Sequence, residues 1–231
     1  MTSHSLPAAD CSLDAPEVRS VLDRLHARAS RQKAVFLGIG LEWGLDLLLR
    51  RKPSIEEEAR RFKDILIPLS RDAGTFAYLV ARSLRARRVV EFGTSFGVST
   101  IYLAAAVRDN GGGRVIGSEI EEGKIARARA NLTEAGLGEF VEIRAGDARE
   151  TLRDPGGEVD LVLLDGWKDL YLPIIEILTP HLRPGAVVLG DNIKTFRRAL
   201  APYLAHMRDL RNGFQSITLP LGDGTEYSVR L

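Results

Sequence analysis

The sequence is poor in the residues that staple or anchor a protein. Its single cysteine, Cys11, excludes an intramolecular disulfide, and no Cys/His spacing suited to zinc can be built around it. Long hydrophobic runs are missing too. The longest, such as Leu161 to Leu164, are a few residues, far short of the roughly 20 that span a membrane. The opening MTSHSLPAADCSLD has neither a basic n-region nor an apolar h-region, so no secretory signal is expected. Charge of one sign is also lacking: 32 basic against 31 acidic residues leave +1, no broad footprint for nucleic acid or an anionic membrane. A soluble, cytoplasmic protein is expected. Its 231 residues, 45% of them hydrophobic, suit one α/β domain with appendages and exclude disorder.

The first third reads as helical. Asp14 with Glu17 reads as a capping box ahead of the stripe Val18, Val21, Leu22 and Leu25. A second apolar stretch, Phe36 to Leu49, is helical in part despite Gly38, Gly40 and Gly44. Ser54 and Glu57 mark another start, leading through Phe62 to an expected stop at Pro68, and Asp72 is expected to cap a helix running to Leu84. From Arg87 the grammar changes. The runs RRVVEF, RVIGSE, FVEIRAG, VDLVLLD and AVVLGD alternate with helical segments, the last near 194–210, which argues for βαβ units and a parallel sheet. FQSITLP and TEYSVRL, joined through Gly222-Asp223-Gly224, read as a hairpin adding an antiparallel edge.

In such sheets ligands bind beyond the carboxyl ends of the strands. Acidic or amide groups stand there after each of the first five: Glu91 with the loop Gly93 to Gly97, then Glu119, Asp147, Asp165 and Asp191-Asn192. The first loop is not a dinucleotide fingerprint, because Gly93-x-Ser95 breaks G-x-G-x-x-G. It matches G-x-S-x-G, the elbow of serine hydrolases, with Ser95 as nucleophile and Asp165 or Asp191 and then His206 in the right chain order. Against that, no earlier strand supplies an oxyanion loop. The remaining reading is a small-ligand loop in which Gly93 and Gly97 let a ligand approach the backbone. Glu119 would accept from both ribose hydroxyls of a nucleoside, Asp147 from an adenine amino group beside Ala148, and Glu91 would stand near the polar end. Without pyrophosphate geometry, the natural ligand is S-adenosylmethionine. Taken alone, Asp147 reads equally as a helix cap.

Asp165, Asp191 and Asn192 put three hard oxygen donors at the ends of two strands, which suits Mg²⁺ or another hard divalent cation rather than zinc. A phenol ionises near pH 10, so a cation and a nearby base are useful for making a phenolate; Lys168 is the candidate base. The plainer alternatives are a solvated lysine at a helix start and an Asp-Asn helix cap.

These residues resemble those of the metal-dependent, S-adenosylmethionine-dependent O-methyltransferases, the group containing the catechol and caffeoyl-CoA O-methyltransferases. The resemblance covers roughly Asp72 to Leu231 and rests on EFGTSFGVST, LLDGWKDLYLP and GDN. It implies a Rossmann-like class I methyltransferase fold, with a mostly parallel seven-stranded sheet, an antiparallel C-terminal hairpin and N-terminal helices. By the same resemblance Asp165, Asp191 and Asn192 are metal ligands, and Lys168 with Asp165 is catalytic. Glu91, Gly93, Ser95, Ser99, Glu119, Ile120, Asp147, Ala148, Asp165 and Trp167 fall at cofactor-contact positions or beside them. Two departures matter. Gly166 replaces a histidine of the catechol enzyme, and the late acidic residue that holds the second catechol hydroxyl has no clear equivalent, Gln215 lying nearest. The expected partner is a small hydroxyl acceptor. Residues 1–71 are expected to be a helical appendage that roofs the acceptor site or forms a dimer contact, and 72–231 the methyltransferase domain. The remaining alternatives are the Ser95 hydrolase and a non-catalytic S-adenosylmethionine-binding module.

Overall fold

A computed structural model describes residues 11–32 and 54–231. The helix expected over Phe36 to Leu49 lies outside them. Seven strands form one sheet: β1 (Arg88–Phe92), β2 (Arg114–Glu119), β3 (Val141–Ala145), β4 (Val159–Leu164), β5 (Leu182–Gly190), β6 (Phe214–Leu219) and β7 (Thr225–Arg230). The order is β3-β2-β1-β4-β5-β7-β6, with the first five parallel and β7 antiparallel to both its neighbours. The chain leaves β1 toward β2 and β3, then returns to place β4 on β1's other side. That reversal opens a crevice at the carboxyl ends of β1 and β4.

The central strands β1, β2, β4 and β5 are largely buried on both faces, which is why they read as apolar runs, whereas β3 and β6 at the two edges are partly exposed. Val89, Val115, Leu161, Leu163, Val187 and Leu189 point into one core. Their alternates Val90, Phe92, Ile116, Val162, Leu164 and Val188 point into the other. The first core is covered by α1 (Pro16–Ser30), α3 (Arg71–Ser83), α4 (Val98–Asp109) and α5 (Glu122–Glu134); every residue of α4 from Val98 to Val107 is buried. The short α2 (Ile55–Arg61) precedes α3. The second core is covered by α6 (Ala148–Thr151), α7 (Tyr171–Leu178) and α8 (Ala201–Arg208). None of the described helices is long and apolar enough to cross a membrane.

The N-terminal turn is pinned to the end of α4. The Asp109 carboxylate accepts from the Ser12 backbone at 3.0 Å, from the Ser12 hydroxyl and from Tyr78 Oη at 2.7 Å, and it pairs with Arg82 at 3.1 Å. Several expected boundaries shift. Asp14 does not cap α1: the helix starts at Pro16, after Ala15, and the Asp14 carboxylate pairs with Arg19 instead. Ser54 and Glu57 do form the capping box of α2, but that helix ends at Arg61 and not at Pro68, which sits in an extended segment over 65–70. Ser70, rather than Asp72, caps α3 by accepting from the Ala73 amide at 3.2 Å. The helix expected over 194–210 is regular only from Ala201 to Arg208, after a series of turns.

Candidate active site

A cavity of about 480 Å³ occupies the crevice. One wall is the loop after β1, whose course depends on left-handed backbone at Gly93 (φ 100°), Ser95 (φ 49°) and Gly97 (φ 84°). Glycine is obligatory at 93 for a second reason. A Cβ there would stand 2.7 Å from the Gly166 backbone, so the loops after β1 and β4 touch. The Ser95 amide, turned inward by its strained conformation, donates to Glu119 at 2.8 Å. Glu119 also accepts from the Ile120 and Glu121 amides at 2.9 and 3.0 Å. Three of about four lone-pair positions on its carboxylate are thus filled, and the group is locked in place facing the cavity.

Gly93, Ser95, Ser99, Glu119, Ile120, Asp147, Ala148, Asp165, Trp167, Lys168 and Asn192 all line the cavity. Glu91 and Asp191 are sealed beneath its wall. Glu91 is fully buried, with Thr94 and Thr100 donating to its Oε2 at 2.9 and 2.6 Å while Oε1 has no partner. Burial pushes its carboxyl up from the ordinary range, and the hydroxyls around it pull the other way. Asp147 lines the cavity, and its carboxylate is also engaged within its own segment. That group caps α6 and is held from the side by Arg149, with contacts of 2.8 to 3.1 Å from the backbone amide and Nε. The hydrogen bonds from Arg149 keep the Asp147 carboxyl below its usual value.

The opposite end of the cavity is acidic. Asp165 follows β4 and Asp191 follows β5, adjacent parallel strands. Burial raises the Asp165 carboxyl to about 7; Lys168 opposes the shift, and the charges of Asp191 and Glu91 add to it. Burial likewise raises Asp191, with the Asp223 charge adding to it, and its Oδ1 has no hydrogen-bond partner. Asn192 is held in a left-handed conformation (φ 64°). Two crowded carboxylates with an orphaned oxygen, beside an amide carbonyl, are a donor set that a hard cation would satisfy. Among the described residues no cluster of three His, Cys, Asp or Glu side chains is poised for a metal, so the amide is needed to complete this one.

Lys168 reaches over the same end. Its Nζ lies 3.5 Å from Asp165 Oδ1 and donates to Tyr171 Oη at 2.9 Å, and the Tyr171 hydroxyl donates to the Asp191 carbonyl at 3.2 Å. Asp223, which reads in sequence as a turn residue of the β6–β7 hairpin, also lines the cavity and accepts from the Thr195 amide at 3.1 Å. Gln215 is exposed on β6. Asp223 is thus a cavity carboxylate that spacing does not single out; its one signal is an aspartate between two glycines in a connection longer than a tight turn.

The roof is apolar. Residues following α2 (Phe62, Ile65, Leu66 and Leu69) face the cavity, and Phe62 meets Trp167 edge-on at 5.8 Å. The segment is tied down by Gln32, which donates to the Asp64 carbonyl and accepts from the Leu66 amide at 3.1 and 2.9 Å. Arg127 adds an ion pair with Asp64 at 2.8 Å. His206 takes no part: its ring packs against Phe214, with centroids 6.2 Å apart, so the hydrolase constellation is not assembled around Ser95. A second depression of about 550 Å³ on α8 is lined by arginines and alkyl groups and has no residue from the strand ends.

Residues 90–193 match the family model described as a methyltransferase domain. The matched stretch runs from within β1 to just past β5. The chain's strand order and closing antiparallel pair are those of the class I fold. Over 128 residues it is 38% identical to a catechol O-methyltransferase of Mycobacterium tuberculosis, covering 55% of this chain and 57% of that protein. Over 131 residues it is 33% identical to a catechol O-methyltransferase of Niastella koreensis, covering 55% of this chain and 58% of that protein. The chain therefore spans less than three fifths of the length of these curated relatives. The O-methyltransferase TomG of Streptomyces achromogenes, solved in complex with S-adenosylmethionine, superposes with a TM-score of 0.63. It has 26% identity and covers 83% of this chain and 96% of that one.

Proposed function

We propose that this protein is an S-adenosylmethionine-dependent O-methyltransferase acting on one hydroxyl of a vicinal pair carried by a small aromatic molecule, with a divalent cation assisting. The observation that carries the reading is one cavity with Glu119 at one end and Lys168, Asp165, Asn192 and Asp223 at the other. When bound, S-adenosylmethionine supplies an electrophilic methyl on a sulfonium, and the cation supplies charge that favours an ionised acceptor hydroxyl.

The rest follows from the chain's own groups. Glu119, preset by three backbone amides, has an acceptor position left for a ribose hydroxyl. Asp165, Asp191 and Asn192 would hold the cation, which fits the orphaned Asp191 oxygen. Lys168, which lines the cavity beside Asp165, is the group that would take the acceptor proton at Nζ. The acceptor oxygen then forms a bond to the methyl carbon as the carbon–sulfur bond breaks, leaving a methyl ether, S-adenosylhomocysteine and a protonated Lys168. Asp223 is placed to accept from the second hydroxyl. Phe62 to Leu69 keep water from the reacting centre, and the Phe196 ring, 5.7 Å from Lys168 Nζ, offers an apolar flank to an aromatic acceptor.

The test is calorimetry with S-adenosylhomocysteine, with and without Mg²⁺, followed by transfer of labelled methyl to catechol. Binding, Mg²⁺-dependent transfer, and loss of transfer in Asp191→Ala with the cofactor still bound are expected. Absence of binding would overturn the reading. Binding without transfer to any vicinal diol would leave a cofactor-binding module.

A further inference from the structure

Asp165, Lys168 and Tyr171 recur at intervals of three along the segment that leaves β4. The intervening 3₁₀ turn, Lys168–Leu170, stacks residues three apart on one side. Tyr171 is fully buried, and its ring is clamped edge-on by Tyr203 at 5.5 Å and by Phe92 at 6.3 Å. Its hydroxyl is thereby fixed between Lys168 Nζ and the Asp191 carbonyl.

The directions of these hydrogen bonds are determined by chemistry. A carbonyl cannot donate, so the single phenolic proton goes to Asp191, and the oxygen lone pairs face Lys168 as acceptors. The Lys168–Tyr171 bond is 2.9 Å, whereas Asp165 stands 3.5 Å away, so Tyr171 is the closer restraint on Nζ. It is also the one that persists once Asp165 is committed elsewhere. The phenol does not form part of the cavity wall, while Lys168 does.

We propose that Tyr171 is a positioning residue: its buried hydroxyl holds one N–H of Lys168 and so aims the remaining valences of Nζ into the cavity, where the acceptor proton is removed. This rests on the reading of Lys168 as the base. It also joins the two halves of the acidic end, because the same hydroxyl ties the residue after β5 to the segment after β4. With one N–H fixed to Tyr171 the remaining valences of Nζ have few directions left; without it, Nζ turns freely about its last bond.

Tyr171→Phe keeps the ring and its edge contacts and removes only the hydroxyl. The first measurement needs no cofactor, metal or acceptor: water exchange of the Lys168 ammonium in protein labelled with ¹⁵N at lysine Nζ, its signal assigned by loss in Lys168→Met. Faster exchange in Tyr171→Phe is expected, and an unchanged rate overturns the tether whatever the protein's activity. The second is turnover of catechol with Mg²⁺. The expected result is a roughly 10- to 100-fold fall in kcat, with KM for catechol and Kd for S-adenosylhomocysteine unchanged. Full kcat in Tyr171→Phe overturns the positioning role. If wild-type protein binds no S-adenosylhomocysteine, the methyl-transfer reading fails instead, and the exchange rate alone decides the tether.

Discussion

Gly166 is packed so closely against Phe92 that even one added carbon meets the ring. A Cβ at position 166 would lie 2.5 Å from Cζ of Phe92 and 2.7 Å from both of its Cε atoms. No real carbon pair approaches so closely. The Phe92 ring is buried and braced by Tyr171, so it cannot swing aside without disturbing the residues that flank Lys168. The backbone at 166 is not in the left-handed region, so the cost of a side chain there is steric alone. Overpacking of this kind costs about 1–3 kcal/mol. Taking about 2 kcal/mol, Gly166→Ala should lower Tm by roughly 4–8 °C in a chain of this size. Leucine lacks all three clashing atoms, so Phe92→Leu should relieve the strain. Melting curves of the two single variants and the double variant form a cycle, with an expected favourable coupling of at least about 1 kcal/mol. A Gly166→Ala protein within about 0.5 kcal/mol of wild type, or a deficit undiminished by Phe92→Leu, would refute the reasoning.

Glu119→Ala removes the common acceptor of three backbone amides and should weaken S-adenosylhomocysteine binding at least about tenfold by calorimetry; unchanged affinity would remove Glu119 from the cofactor end. Ser70→Ala should cost about 1 kcal/mol in urea unfolding and Asp72→Ala less, since Ser70 carries the cap. Burial alone would raise the Glu226 carboxyl, but hydrogen bonds from Arg208, Thr218 and Ser216 outweigh it and hold the group below the usual 4.5. A carboxyl so depressed stabilises the fold above its unfolded value and loses that contribution as the pH falls toward its folded value. Urea midpoints of wild type should therefore drop below about pH 4.5, and those of Glu226→Gln should drop less; parallel curves would contradict this.

The strands were legible as β-rich runs, apolar in the largely buried β1, β2, β4 and β5, and of mixed composition in the partly exposed β3, β6 and β7. Helix starts were less so. Ser70 and Asp72 are both good caps, and the choice lies in the backbone, extended at Ser70 (φ −61°, ψ 155°) with Asp72 already inside the first turn. Asp165 and Asn192 were legible because each stands within two residues of a strand's end, and Lys168 because it lies three residues beyond Asp165. Asp223 was not, since it reaches the cavity from a hairpin remote in sequence, and its flanking glycines account for it as a turn. Tyr171 was hidden in an apolar helix, where an aromatic ring reads as core. The pairing of Asp147 with Arg149 depends on a side-chain rotamer, which no spacing encodes.

The placement of β7 between β5 and β6 bears on how the site comes into being. The amides of Ile193 and Lys194 donate to the carbonyls of Gly224 and Asp223 at 3.0 and 2.9 Å, so the loop bearing Asn192 is latched by the connection that leads into β7. β5 is made before β6, yet its free edge must wait for a strand made after β6. During synthesis the nascent chain can assemble the Glu119 end of the crevice from β1 to β4 while the Asp191 edge stays open to water. Folding should thus finish at the acidic end, with the β5 and β7 amides the last to gain protection in pulsed hydrogen exchange.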